Sequence, residues 1–151
     1  MSETSAPPAA PDRTRMPDLN WSDAHRAQLQ MRYSDIDTNH HVNNGRYGEY
    51  LENARIQLMH DVGLWGEGER AVLARMEMDY VQEIRWGQAL VVESLIEKIG
   101  RSSWTVVARI LADGMPCAFA RTVIVRVNAE HRPEPIPDGV REALRPLMVR
   151  G

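Results

Sequence analysis

The sequence predicts an α+β domain in which a curved antiparallel sheet wraps around one long helix. Three observations carry that reading. One stretch only has long helical periodicity: Tyr47, Leu51, Ala54 and Leu58 recur at spacings of three and four, which puts them on one face. From Val72 onward the pattern changes to period two over four successive stretches. The links between those stretches are too short for parallel crossovers, so the four are expected to form an antiparallel meander. A lone apolar helix must then be buried against that sheet.

Taken in order, the first strand is expected at Gln28 to Tyr33, where QLQMRY alternates. A polar loop follows. The helix is expected from about residue 44 to 62, with Asn43 or Asn44 as its cap and Gly63 closing it. In VLARMEMDYV, Met76, Met78 and Tyr80 face one way and Arg75, Glu77 and Asp79 the other. ALVVESLIEKI, SSWTVVARIL and CAFARTVIVRV are the next three strands. Gly87, Gly100 and the pair Asp113-Gly114 mark the turns between them, the last being a strong hairpin signal. A short helix around Gly139 to Leu147 follows the proline-rich RPEPIP. Residues 1–20, rich in Pro, Ala and polar groups, read as a disordered tail ahead of a single domain at 21–151.

Composition removes several function classes. With 151 residues and 43% hydrophobic content, the chain has enough material for one core. The formal net charge of −3 argues against a nucleic-acid binder, which usually carries a basic stripe. The basic residues are nearly all arginine, Lys98 being the only lysine. Cys117 is alone, so no intrachain disulfide forms, in keeping with a reducing compartment. No segment approaches the ~20 apolar residues of a membrane span, and the N-terminus lacks an apolar signal core. A cytoplasmic location is the expectation.

One short segment stands apart. Asp35 through Gly45 collects two Asp, three Asn and two His. Asp35, Asp37 and Asn39 match the first, third and fifth positions of a calcium loop. His40 stands where that loop needs glycine, and Arg46 where it needs a bidentate glutamate. His40 and His41 are adjacent and diverge in extended backbone, and no further ligand pair completes a transition-metal set. GEGERA at residues 66–71 mimics a dinucleotide loop but follows a helix, so a turn is the better reading. No G-x-S-x-G elbow is present. A polar turn with a helix cap accounts for Asn43 and Asn44 but not for Asp37, Asn39 and His41. In an extended loop these three, at i, i+2 and i+4, share one side just ahead of a helix N-terminus. A carboxylate, an amide and an imidazole beside that end suit hydrolysis of a carbonyl compound, where an oxyanion must be stabilised.

DIDTNHHVNNGRYGEYLENAR, residues 35–55, resembles the signature of the hotdog-fold acyl thioesterases. These include the hydroxybenzoyl-CoA thioesterase-like acyl-CoA hydrolases and the plant acyl-ACP thioesterases. The family pattern runs roughly D-x-D-x-x-x-H-V-N-N-x-x-Y and continues into a helix with an E-x-A-R run, here Glu52 to Arg55. The D-x-N-x-H spacing of the plant enzymes is met by Asp37, Asn39 and His41. MDYVQEIRWGQALVVES and RVNAEHRPEPIPDGVREAL extend the likeness over about residues 26 to 148. One departure is His40, at a position often glycine in bacterial members, which is expected to alter the loop's backbone.

The resemblance implies a hotdog fold and thioester hydrolysis without a cofactor or metal. It implies Asp37 as the catalytic carboxylate, either nucleophile or base for water. Asn39 would position water or substrate, and His41 would shape the pocket or share the proton work. A backbone N–H near Asn44 and Gly45 would polarise the carbonyl, while Tyr47 would pack under the helix. Arg85 and Arg101, beside the turn glycines, are candidates for the phosphates of CoA. The expected substrate is an acyl-CoA. Alternatives are an acyl-ACP thioesterase, whose acidic carrier protein would seek an arginine patch, a hotdog dehydratase, and a non-catalytic acyl-CoA-binding module. Edge strands must be covered, and family members pair edge to edge with active sites between protomers, so a homodimer or dimer of dimers is expected.

Overall fold

The computed structural model describes residues 18–64 and 70–150. Most of the expected tail and most of the GEGERA turn lie outside the described residues. Five strands form one sheet: β1 (His25–Leu29), β2 (Ala71–Tyr80), β3 (Leu90–Ile99), β4 (Ser103–Ala112) and β5 (Met115–Arg126). The long helix is α1 (Tyr47–Asp61), and a short helix α2 (Asp138–Leu144) follows the sheet. Among the described residues no helix is long and apolar enough to cross a membrane.

The helix buries the face its spacing predicts. Tyr47, Leu51, Ala54 and Leu58 are all buried, joined by Tyr50. Its first turn is a tighter 3₁₀ turn, Asn44–Arg46, capped by the Asn43 side chain, which accepts from the Gly45 N–H at 2.8 Å. Gly63 ends it with φ of +76°, a backbone conformation that glycine takes at no steric cost. The sheet face beneath the helix is rich in small side chains: Ala27, Ala108, Ala112, Ala118 and Ala120 lie in one core cluster with Leu51 and Ala54. Small side chains there let the helix sit close to the sheet. Register shifts at Leu73/Arg75, Ile96/Lys98 and Ile110/Leu111 bend the strands around it.

Three expectations needed correction. The strand order is β1-β3-β4-β5-β2, so only β3, β4 and β5 form a meander. β2 pairs with β5 at the far edge, and residues 81–89 carry the chain back across the end of the sheet to β3. Because β2 and β3 run in opposite directions, nine residues suffice for that crossing without a return helix. The first strand ends at Leu29 rather than Tyr33, since Tyr33–Asp35 is a 3₁₀ turn locked by Asp35. The last helix stops at Leu144, where Pro146 lacks the N–H an α-helix needs and Arg145–Leu147 tightens to 3₁₀. Beyond it Met148 pairs alongside Ile96, extending β3's free edge. The Asp113-Gly114 turn forms as expected, both residues having positive φ.

Candidate active site

The polar segment folds as a tight hairpin rather than an extended loop. Ile36 pairs with Val42, the Asp37 N–H donates to the His41 carbonyl at 2.8 Å, and the His40 N–H to the Asp37 carbonyl at 3.1 Å. His40 has φ of +63°. The histidine therefore adopts the left-handed conformation that glycine most readily takes, at a local cost histidine tolerates better than most residues.

Asp35 anchors the hairpin from below. It is fully buried, and its carboxylate accepts from the Tyr50 hydroxyl at 2.7 Å and from the Arg32 N–H at 3.0 Å and Nε at 3.1 Å. Burial pushes its pKa up. The hydrogen bonds from Tyr50 and Arg32 outweigh that and hold the carboxyl below the usual carboxylate range. Burial and the Asp35 hydrogen bond together push the Tyr50 phenol well above its ordinary value. The Asp35 carbonyl also accepts from the Asn43 N–H at 2.8 Å, fixing the residue that caps the helix.

Asp37 is held differently. Oδ1 accepts from the Asn39 N–H at 2.9 Å and, more weakly, from the His41 N–H at 3.4 Å. Among the described residues Oδ2 has no hydrogen-bond partner, so one oxygen is fixed and the other remains available. Asn39 is exposed at the tip of the turn. The His41 ring is engaged by Glu83 rather than Asp37: its Nε2 lies 2.9 Å from Glu83 Oε2. Glu83 is also gripped by Arg85, whose Nε and Nη2 donate to Oε1 at 2.9 and 2.7 Å. A carboxylate accepting at Nε2 puts the proton there and leaves Nδ1 with the lone pair in the neutral ring.

The crossover 81–89 brings these groups together. Val42 donates its N–H to the Ile84 carbonyl at 2.8 Å, and His41 pairs with Arg85 across an antiparallel bridge. At the helix start the Tyr80 hydroxyl donates to the Asn44 carbonyl at 3.3 Å, and its ring rests on buried Tyr47 at 5.0 Å. Burial pushes the Tyr47 phenol up to about 12, as suits a packing residue.

Asp37, Asn39, His41, Asn44, Gly45 and Arg85 thus gather at one end of the sheet. The Gly45 N–H is already taken by the Asn43 cap, so it does not serve as a free oxyanion donor. The Asn44 N–H has no partner among the described residues. Arg101 is not brought to this end. It lies in the turn between β3 and β4, a full ten-residue strand away, where its carbonyl accepts from Ile136 N–H and Arg141. Glu83 was missed by sequence reasoning. It is far from His41 along the chain, and only the crossover makes them neighbours. The nearest signal was its i, i+2 spacing to Arg85 in a strand-like run. Among the described residues no group of three or more His, Cys, Asp or Glu side chains is placed to hold a metal ion.

Residues 31–144 match the family model of the thioesterase-like superfamily. The chain belongs to that superfamily. Its sheet wrapped around one helix is the hotdog fold, and solved structures agree. A thioesterase from Thermus thermophilus, complexed with coenzyme A and zinc, is 33% identical, with a TM-score of 0.74 over 83% of this chain and 93% of that one. A predicted thioesterase from Bacillus stearothermophilus is 34% identical, with a TM-score of 0.77 over 85% and 98%. The PA5185 protein from Pseudomonas aeruginosa PAO1 is 25% identical, with a TM-score of 0.78 over 84% and 93%. No match is found among curated proteins.

Proposed function

We propose that this thioesterase-superfamily protein hydrolyses an acyl-CoA to the free acid and CoA, with Asp37 as the catalytic carboxylate. One observation carries the assignment: Asp37 has one oxygen anchored by backbone N–H groups and the other without a partner among the described residues, on the hairpin that leads directly into the helix start, where the Asn44 N–H is likewise without a partner among them. In this reading Asp37 takes a proton from water as the water oxygen bonds to the thioester carbon. The Asn44 N–H meets the developing oxyanion. The tetrahedral intermediate then expels the thiolate as the C–S bond breaks, and the thiolate takes from Asp37 the proton that came from the water. Direct attack by Asp37 would give an anhydride that water opens. Asn39 orients the water, and His41, steadied by Glu83, shapes the thiol side of the site.

Arg85 is the better of the two arginines for a CoA phosphate, being exposed next to His41. CoA is favoured over acyl carrier protein as the carrier because a 33% identical relative was crystallised with coenzyme A. The proposed assembly is supported by β2, which pairs with β5 on one side and with no other strand among the described residues. Val72 and Leu73 on it are exposed, so a second copy paired along that edge would cover them. Light scattering at micromolar concentration is expected to give a dimer or dimer of dimers; a monomer would contradict it.

The test of function is thiol release from a panel of short, long and aromatic acyl-CoA thioesters, repeated with acyl carrier protein thioesters. Hydrolysis of at least one CoA ester, cut at least ~100-fold in Asp37→Asn, is the expected result. Tight acyl-CoA binding without thiol release would instead identify a binding module.

A further inference from the structure

Ile56, Val72 and Leu73 border a cleft with apolar walls along the second half of α1, on the side where β2 would take a second copy. Two exposed aromatic side chains lie elsewhere. Tyr33, 81% exposed, is in the turn after β1, and Trp86, 51% exposed, is in the crossover just ahead of β3. β1 and β3 are neighbours at the opposite side of the sheet from β2, so the pair does not belong to the β2 edge. The two rings meet nearly at right angles, with centroids 5.6 Å apart and planes at 84°. Such a contact uses the edge of one ring and one face of the other, so flat aromatic surface on both rings is left over. A single exposed aromatic needs no explanation, but two in contact beside a candidate active site make a surface that can receive a flat ligand.

The pair is tied to the Asp37 hairpin from both sides. Tyr33 stands two residues before Asp35, in the turn that Asp35 and Arg32 close. Trp86 follows Arg85, whose backbone pairs with His41, and the His41 carbonyl in turn accepts from the Asp37 N–H. Asp37 and Arg85 thus lie on either side of His41, about two strand spacings or roughly 10 Å apart. The Arg85 side chain is 69% exposed, and its bonds to Glu83 use Nε and Nη2 and leave Nη1 outside them. Flat aromatic surface with a guanidinium beside it matches a purine base carrying phosphates, because bases stack on aromatic faces and arginine pairs with phosphate oxygens.

We propose that Trp86, flanked by Tyr33, is the platform on which the adenine base of CoA stacks, with Arg85 meeting a phosphate next to it. This rests on the acyl-CoA reading and adds to it a subsite for the nucleotide. The pantetheine arm then runs from the diphosphate at Arg85 past His41 to the thioester at Asp37.

Calorimetry with adenosine 3′,5′-diphosphate tests the subsite without hydrolysis. Wild type is expected to bind it, and to bind inorganic pyrophosphate, which carries charge but no base, at least about tenfold more weakly. Trp86→Ala should lose at least about tenfold in affinity for the nucleotide. Trp86→Phe, which keeps an aromatic face, should retain most of it, and Tyr33→Ala should fall between the two. Equal binding of nucleotide and pyrophosphate would overturn the proposal. So would unchanged nucleotide affinity in Trp86→Ala, or a Trp86→Ala whose only change is in subunit mass, which would assign the aromatic pair to an interface between copies. A kinetic arm separates the subsite from the reading it rests on. The KM advantage of an acyl-CoA over the matching pantetheine thioester should shrink about tenfold in Trp86→Ala. If the nucleotide binds through Trp86 but no acyl-CoA is cleaved, thioester hydrolysis fails and the subsite stands. If an acyl-CoA is cleaved with the same KM by wild type and Trp86→Ala, and the nucleotide does not bind, the subsite fails and hydrolysis stands.

Discussion

The two ends of α1 are built on opposite electrostatic plans. At its start nearly every charged side chain is locked to another. Arg32 bridges Asp35 and Glu49, Arg46 reaches Glu49 at 2.9 Å, and Arg85 holds Glu83 against His41. Among the described residues, one oxygen of Asp37 and the Asn44 N–H are left without a partner. Over its second half the walls of the cleft are apolar and the cations Arg55 and Arg70 stand without partners among the described residues. The first arrangement fixes geometry and leaves one reactive group, which suits chemistry. The second leaves two arginines in an apolar-walled cleft with no carboxylate in ion-pair distance among the described residues.

The same contrast separates two carboxylates two residues apart, and its sharpest test is to remove each charge in turn. Asp37→Asn keeps shape and removes the base. Turnover is expected to fall at least ~100-fold with little change in KM, since loss of general-base help typically costs roughly 10²- to 10⁴-fold. Melting should be unchanged. Wild-type turnover in this variant would remove Asp37 from the chemistry.

Asp35→Asn should do the reverse, lowering stability by roughly 2 kcal/mol through the charged hydrogen bonds it loses while turnover on the same thioester drops far less. The folded Asp35 pKa lies below its unfolded value. Its contribution is therefore complete above the unfolded carboxylate pKa of about 4 and disappears as pH falls through the folded one. Melting curves of wild type and Asp35→Asn should converge below about pH 4. A constant gap through the acid range would mean that the charge is not what stabilises, and a larger loss of turnover than in Asp37→Asn would exchange the roles.

Next in size is Glu83→Gln. If Glu83 only orients the His41 ring, turnover should drop by about tenfold, well short of base loss, with folding retained. A drop equal to that of Asp37→Asn would make Glu83 a catalytic group in its own right. Smallest is the pair of arginines. Arg85→Ala is expected to raise KM for an acyl-CoA severalfold, as loss of a charge-assisted contact does, and to leave KM for a short pantetheine thioester unchanged. Arg101→Ala, a strand's length away in the same chain, should do neither. An effect at Arg101 would show that a second subunit brings that turn to the site.

Local pattern was a sound guide wherever local forces decide. The helix face, the Gly63 stop, the Asp113-Gly114 hairpin and four of the five strands follow from periodicity and turn chemistry, which act over a few residues. The first strand was misplaced because Asp35, beyond its true end, recruits Arg32 into a 3₁₀ turn. Alternation in QLQMRY does not report that anchor. The position of β2 was missed because strand order depends on which edges meet, and the nine-residue crossover permits either neighbour.

By itself the sequence determined the composition of the polar hairpin, its place before a helix and its likeness to a thioesterase signature, since all of these lie within one short segment. Only the tertiary structure decided which atoms are free. The Asn43 cap takes the Gly45 N–H, the buried network takes Asp35, and the crossover delivers Glu83 to His41 and leaves Arg101 at the far end. The reason is physical: a residue type fixes what a side chain can donate or accept, but whether it is already satisfied depends on neighbours that chain distance does not reveal.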